Sequence, residues 1–118
     1  MKASLKSKIK TIVGALEAKK GVDILVLDVH KVVSYTDFMI ICSGTSSTHV
    51  GALVSSVEDA LDRKDRPVYR NASKDNSWWI LDFVDVVMHV FNEDTRVFYN
   101  LEEFWGDAKI VKADSIKG

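Results

Sequence analysis

Residues 78–91 read WWILDFVDVVMHVF, and the way this stretch folds decides the architecture around it. Two apolar runs, Trp78–Phe83 and Val86–Phe91, flank the pair Val84–Asp85, which predicts a β-hairpin. If Asp82 pairs with Val87, the side chains sort by the two-residue period of a strand. Trp79, Leu81, Phe83, Val86, Met88 and Val90 then share one wholly apolar face, which has to be core. The other face carries Trp78, Ile80, Asp82, Val87, His89 and Phe91. That mixture of aromatic, aliphatic, carboxylate and imidazole groups suits a binding surface or a half-covered sheet face.

Working outward, residues 70–77 are polar and read as an exposed loop. Before them, Val50, Leu53, Val54, Val57 and Leu61 form the apolar stripe of a helix that Pro67 cannot extend. The segment Gly44-Thr-Ser-Ser-Thr48 breaks the preceding strand and supplies capping hydroxyls for that helix. Ile24–Val29 and Phe38–Ser43 read as buried strands, so both faces of the sheet should be at least partly covered. At the N-terminus, Leu5, Ile9, Ile12, Val13 and Leu16 mark an amphipathic helix, with Gly21 suited to its C′ position. After the hairpin, Asp94–Glu103 reads as a short helix capped by Asn92 or Asp94, and residues 108–113 as a possible edge strand. The predicted order is α-β-β-α-β-β-α(-β): one α/β domain over residues 1–118, with a mixed sheet and flanking helices.

The 118 residues are 47% hydrophobic and 28% charged, a globular composition with room for one core. No apolar run approaches the roughly 18 residues of a membrane span, and no secretory leader is evident. A single cysteine, Cys42, rules out an internal disulfide and suits a reducing cytoplasm. Net charge is −1, but residues 1–20 hold six Lys and one Glu, a local +5. The bland reading of that segment is a solvated basic helix.

Candidate chemistry is sparse. Gly44–Ser47, between a strand and a helix, could cradle a phosphate, but it lacks the P-loop lysine and the dinucleotide-binding glycine spacing. Helix capping accounts for it better. The same element followed by Asp82 and Asp85 resembles the nucleotidyltransferase pattern. Two carboxylates three apart across a hairpin turn are poorly aimed for metal ions, however, and no third is near in sequence. No histidine or cysteine spacing marks a metal site. His49 falls in the first turn of the second helix, and Asp37 could cap or orient the Thr45–Ser46 loop.

Three blocks carry a family resemblance. Asp37–His49 (DFMIICSGTSSTH) is similar to the Iojap pattern of an Asp-aromatic start, an apolar strand, Gly-Thr-Ser and a following His. Trp79–Phe91 is similar to that family's Trp-x-Leu-Asp-aromatic-Gly-Asp-Val-Val-x-His-Val-Phe. Arg96–Ala108 (RVFYNLEEFWGDA) is close to its Arg-x-Phe-Tyr-x-Leu-Glu-x-Leu-Trp-x-Asp-Ala. The chain thus resembles the bacterial ribosomal silencing factors, with Val84 standing where they usually have Gly. The resemblance implies a non-catalytic protein without cofactor. It would bind the large ribosomal subunit through the universal large-subunit protein fourteen, block subunit joining under nutrient limitation, and take part in large-subunit maturation. It also implies a homodimer when free, a nucleotidyltransferase-like fold, and no DNA or membrane partner. The expected contact residues are Trp78, Ile80, Asp82, His89, Phe91, Tyr99 and Trp105. The expected structural motif residues are Asp37, Gly44, Thr45, Ser46, His49, Asp85 and Arg96. Two rivals are a nucleotidyltransferase-like enzyme using Gly44–Ser47 and an RNA-binding module using Lys6, Lys8 and Lys10.

Overall fold

The computed structural model describes residues 3–99 and 109–111. In chain order the elements are α1 (Ala3–Ala18), β1 (Val22–Asp28), β2 (Phe38–Gly44), α2 (Ser47–Ala60), a 3-10 turn (Arg63–Asp65), β3 (Tyr69–Ala72), β4 (Trp78–Asp82), β5 (Val86–Asn92), α3 (Glu93–Tyr99) and β6 (Lys109–Val111). The strands form one mixed sheet in the order β3-β4-β5-β2-β1-β6. Only β2 and β5 run parallel; the other neighbours are antiparallel. Parallel neighbours need a long crossover, and here α2 and the β3–β4 pair provide it.

Asp82 lies opposite Val87, so the hairpin adopts the register its alternation demands. Leu81, Phe83, Val86, Met88 and Val90 join the stripes of α1 and α2 in one buried cluster, with Trp79 packed against it. No member of either helical stripe is more than 6% exposed. Leu27, Val29, Met39, Ile41, Val87 and Phe91 form a second buried cluster on the opposite face. Both sheet faces therefore carry a buried apolar cluster, as the unbroken apolar runs of β1 and β2 require, and the second is only partly covered at Trp78 and Ile80.

Four local outcomes differ from the sequence expectations. First, the polar stretch 70–77 is not all loop. Tyr69–Ala72 forms the edge strand β3, whose residues pair with Trp79–Asp82. It is mostly exposed, so it has no need of the apolar alternation that reveals a strand. Second, the left-handed residue ending α1 is Lys20 (φ 60°), not Gly21. The Lys20 N–H reaches Glu17 O and the Gly21 N–H reaches Leu16 O, a Schellman pair that puts Lys20 at C′. Gly21 serves close approach instead, since a Cβ there would stand 2.6 Å from Cys42 Sγ.

Third, α3 starts at Glu93 because Asn92 Oδ1 accepts the Asp94 N–H at 2.9 Å; the expected extension to Glu103 lies outside the described residues. Fourth, Asp37 and the Thr45–Ser46 loop stand at opposite ends of β2, roughly 20 Å apart at strand rise. Asp37 therefore cannot cap that loop. Its backbone N–H instead bonds Asp85 O, beside the hairpin turn.

The hairpin turn itself is tight. Val84 has φ 76°, and the Asp85 N–H bonds Phe83 O across it, which makes a γ-turn. Asp82 Oδ1 accepts the Val84 N–H at 2.8 Å and holds the turn from one side. A β-branched residue resists this conformation, and its side chain is 61% exposed, so packing offers little in return. Val84→Gly is expected to raise stability by about 1 kcal/mol, relief of strain exceeding the entropic cost of glycine. A higher urea midpoint at unchanged slope would show it; a lower one would mean that Val84 is unstrained.

Candidate partner-binding face

The face away from α1 and α2 brings five of the predicted contact residues together. Trp78, Ile80 and Asp82 come from β4, and lie opposite Phe91, His89 and Val87 of β5. The two strands contribute differently. Trp78, Ile80 and Asp82 are half-buried, whereas His89 is 7% exposed and Phe91 is fully buried. The reason is topological. β5 is interior to the sheet, while β4 has only the four-residue β3 outside it.

The buried pair supports Trp78. The Phe91 and His89 rings stack at 5.9 Å with an interplanar angle of 6°. The Trp78 ring lies 5.0 Å from Phe91, and its Nε1–H donates to His89 Nδ1 at 3.1 Å. An accepting Nδ1 carries no proton, so any imidazole proton sits on Nε2. Burial pushes the His89 pKa down to about 4, because the charged form would lose its water. His89 and Phe91 therefore position Trp78 and do not themselves offer contact area. The Asp82 carboxylate is likewise committed in part to the Val84 N–H. The side chain of Tyr99 and all of Trp105 lie outside the described residues. β3 adds two residues that sequence reasoning missed. Tyr69 is paired with Asp82 and Asn71 with Ile80, so both share this face, and both are exposed. The aromatic Tyr69 just after Pro67 was the available signal.

The motif residues are structural joints. Ser46 Oγ caps α2 by accepting the His49 N–H at 3.1 Å. His49 Nδ1 accepts the Thr45 N–H, and its Nε2 contacts Lys19 O at 2.7 Å, which ties α2 to the end of α1. At Gly44 a Cβ would stand 3.0 Å from Val50 N, so glycine lets α2 start close against β2. Asp85 pairs with Lys8 of α1 at 3.1 Å. Arg96 Nη1 donates to Asp23 O and Ser43 Oγ, each at 2.8 Å, and reaches Val22 O at 3.4 Å. It thereby gathers β1, β2 and α3 where β1 breaks register and Asp23 adopts φ 49°.

The chemistry of the rivals has little to work with. The Thr45 and His49 amides are taken by His49 Nδ1 and Ser46 Oγ. The Asp82 and Asp85 carboxylates face a backbone N–H and Lys8. Among the described residues no three His, Cys, Asp or Glu converge on a metal position. Burial pushes the Cys42 thiol up to about 12, outweighing the nearby Arg96 charge, so it is a poor nucleophile.

A family model described as "Ribosomal silencing factor during starvation" matches residues 2–118. The chain belongs to this ribosomal silencing factor family. It is 37% identical to the ribosomal silencing factor RsfS of Bacillus subtilis, across 92% of this chain and 93% of that protein. It is 33% identical to the mouse protein named "Mitochondrial assembly of ribosomal large subunit protein 1", across 82% of this chain and 44% of that longer one. A crystal structure from Chromobacterium violaceum superposes with a TM-score of 0.80 at 34% identity, covering 90% of this chain and 88% of that one. The single α/β sheet with flanking helices is thus shared within the family. No helix among the described residues is long and apolar enough to cross a membrane.

Proposed function

We propose that this protein is a non-catalytic silencing factor that binds the large ribosomal subunit through the universal large-subunit protein fourteen. Bound there, it sterically blocks joining of the small subunit and lowers translation under nutrient limitation. A second role in large-subunit maturation fits the mouse relative's name. It works in the cytoplasm without a cofactor, and pairs as a homodimer when free. The observation that carries the reading is the half-buried row Trp78–Ile80–Asp82, held from beneath by the buried His89–Phe91 stack. An indole locked in orientation loses little entropy on docking, which is what an interface anchor needs. Net charge −1 also suits a basic ribosomal protein as partner, since opposite charge speeds encounter.

Co-sedimentation with isolated subunits tests it. Pelleting with the large subunit alone, together with loss of joined ribosomes on adding small subunits, is the expected result; binding to neither subunit rejects the proposal. Trp78→Ala is expected to weaken large-subunit binding by about 2 kcal/mol, roughly thirtyfold. A variant that melts cooperatively yet binds as tightly as wild type would remove Trp78 from the contact.

A further inference from the structure

The charge of the chain is segregated. Residues 21–62 hold six acidic and one basic residue, and residues 75–118 nine acidic and four basic, so each is at −5. Between them, residues 63–74 (RKDRPVYRNASK) hold five basic residues and one acidic, a local +4. The middle of this segment forms β3, the outer strand of the sheet, and the 3-10 turn at its start lies beside α1. All five cations are exposed. Arg70 is committed, pairing with Glu58 at 2.9 Å and lying 5.0 Å over the Trp79 ring. Arg63, Lys64, Arg66 and Lys74 have no ion pair among the described residues.

Two features point to RNA as what these cations meet. Within the segment Val68 and Tyr69 are 72% and 55% exposed, and Tyr69, on the opposite side of β3 from Arg70, offers an aromatic ring on which an unpaired base can stack. At its start Lys64 lines a cavity of about 290 Å³ with the hydroxyls of Ser4, Ser7 and Thr11, with Asp62 and Asp65, and with Lys8, whose ammonium is already paired with Asp85. Hydroxyls and ammonium groups suit phosphate oxygens, and carboxylates suit ribose 2′-hydroxyl donors. The lysines of α1 are a weaker candidate, because Lys8 is already tied to Asp85 and Lys6 is half-buried.

We infer that the edge strip Arg63–Lys74 contacts ribosomal RNA beside the docked protein, with Tyr69 at the junction. Tyr69 shares the face of Ile80 and Asp82, so one binding event engages a protein on the sheet face and RNA at its edge. The inference rests on the large-subunit reading above.

The test compares wild type with an Arg63→Ala/Arg66→Ala/Lys74→Ala triple variant, binding purified large subunits between about 50 and 200 mM KCl. Each lost phosphate contact removes roughly 0.9 from the slope of log affinity against log salt. The variant should bind at least tenfold more weakly at the lowest salt, with a slope shallower by about 3. Its binding to isolated large-subunit protein fourteen should be unchanged. Equal affinity and slope on the subunit would overturn the inference while leaving the function intact. An equal loss on the isolated protein would assign the strip to a protein contact and also overturn it. Failure of wild type to bind subunits at all would reject the functional reading itself, and this inference with it.

Discussion

Lowering the pH from about 7.5 to about 4 is expected to remove on the order of 3 kcal/mol of folding stability through His89 alone. The imidazole is 7% exposed, stacked on Phe91 and bonded to the Trp78 indole, and burial pushes its pKa from 6.5 to about 4. Between those values the unfolded chain holds a proton that the folded chain does not. Stability therefore rises with pH across this window. The contribution is complete above about 6.5 and is lost as pH falls toward 4. Urea unfolding at several pH values would measure it, against a His89→Gln variant that does not titrate and can still accept the Trp78 N–H. The difference between the two profiles should fall by up to about 1.4 kcal/mol per pH unit inside the window and be flat above it. Parallel profiles throughout would mean that His89 is free to protonate in the folded state. Because the folded chain keeps His89 neutral down to about pH 4, the Trp78–His89 bond should persist through this window.

Arg96→Met is expected to cost about 3 kcal/mol, among the largest effects of any polar substitution in this chain. One guanidinium nitrogen serves Asp23 O, Ser43 Oγ and Val22 O, joining three elements distant in sequence. Methionine fills similar volume but leaves those acceptors without their charged donor beside a register break. Arg96→Lys should recover part of the loss, because an ammonium can reach one or two of the acceptors but lacks the planar fork. Guanidinium chloride unfolding of the three proteins would rank them; a methionine variant within 0.5 kcal/mol of wild type, a typical surface effect, would show that the clamp is dispensable.

Some of the candidate site was legible residue by residue. The alternation of residues 78–91 divides the hairpin into a core face and a mixed face, and the structure sorts them the same way. Alternation does not say how deeply each strand lies within the sheet. Phe91 and Trp78 share a face, yet one is buried and the other half-buried, because β5 lies inside the sheet whereas β4 has only the four-residue β3 outside it. The same ignorance of depth hid the burial of Phe91 and His89, whose rings pack against Trp78. Asp82, which looked like a surface recognition group, partly spends its carboxylate on holding the tight turn at Val84.

From sequence alone came the helical stripes, the strand runs, the hairpin register, the capping role of Gly44–Ser47 and the family. All of these are written in short-range periodicity and local motif, where a residue's neighbours in the chain are also its neighbours in space. Only the tertiary structure decided the strand order, the parallel β2–β5 pairing, the edge strand β3, the shift of the left-handed position from Gly21 to Lys20, and which cations of Arg63–Lys74 stay exposed without an ion pair among the described residues. Each depends on which distant segment lies alongside. An edge strand need bury nothing and so leaves no apolar pattern, and exposed charges become a surface only once the fold has set their neighbours.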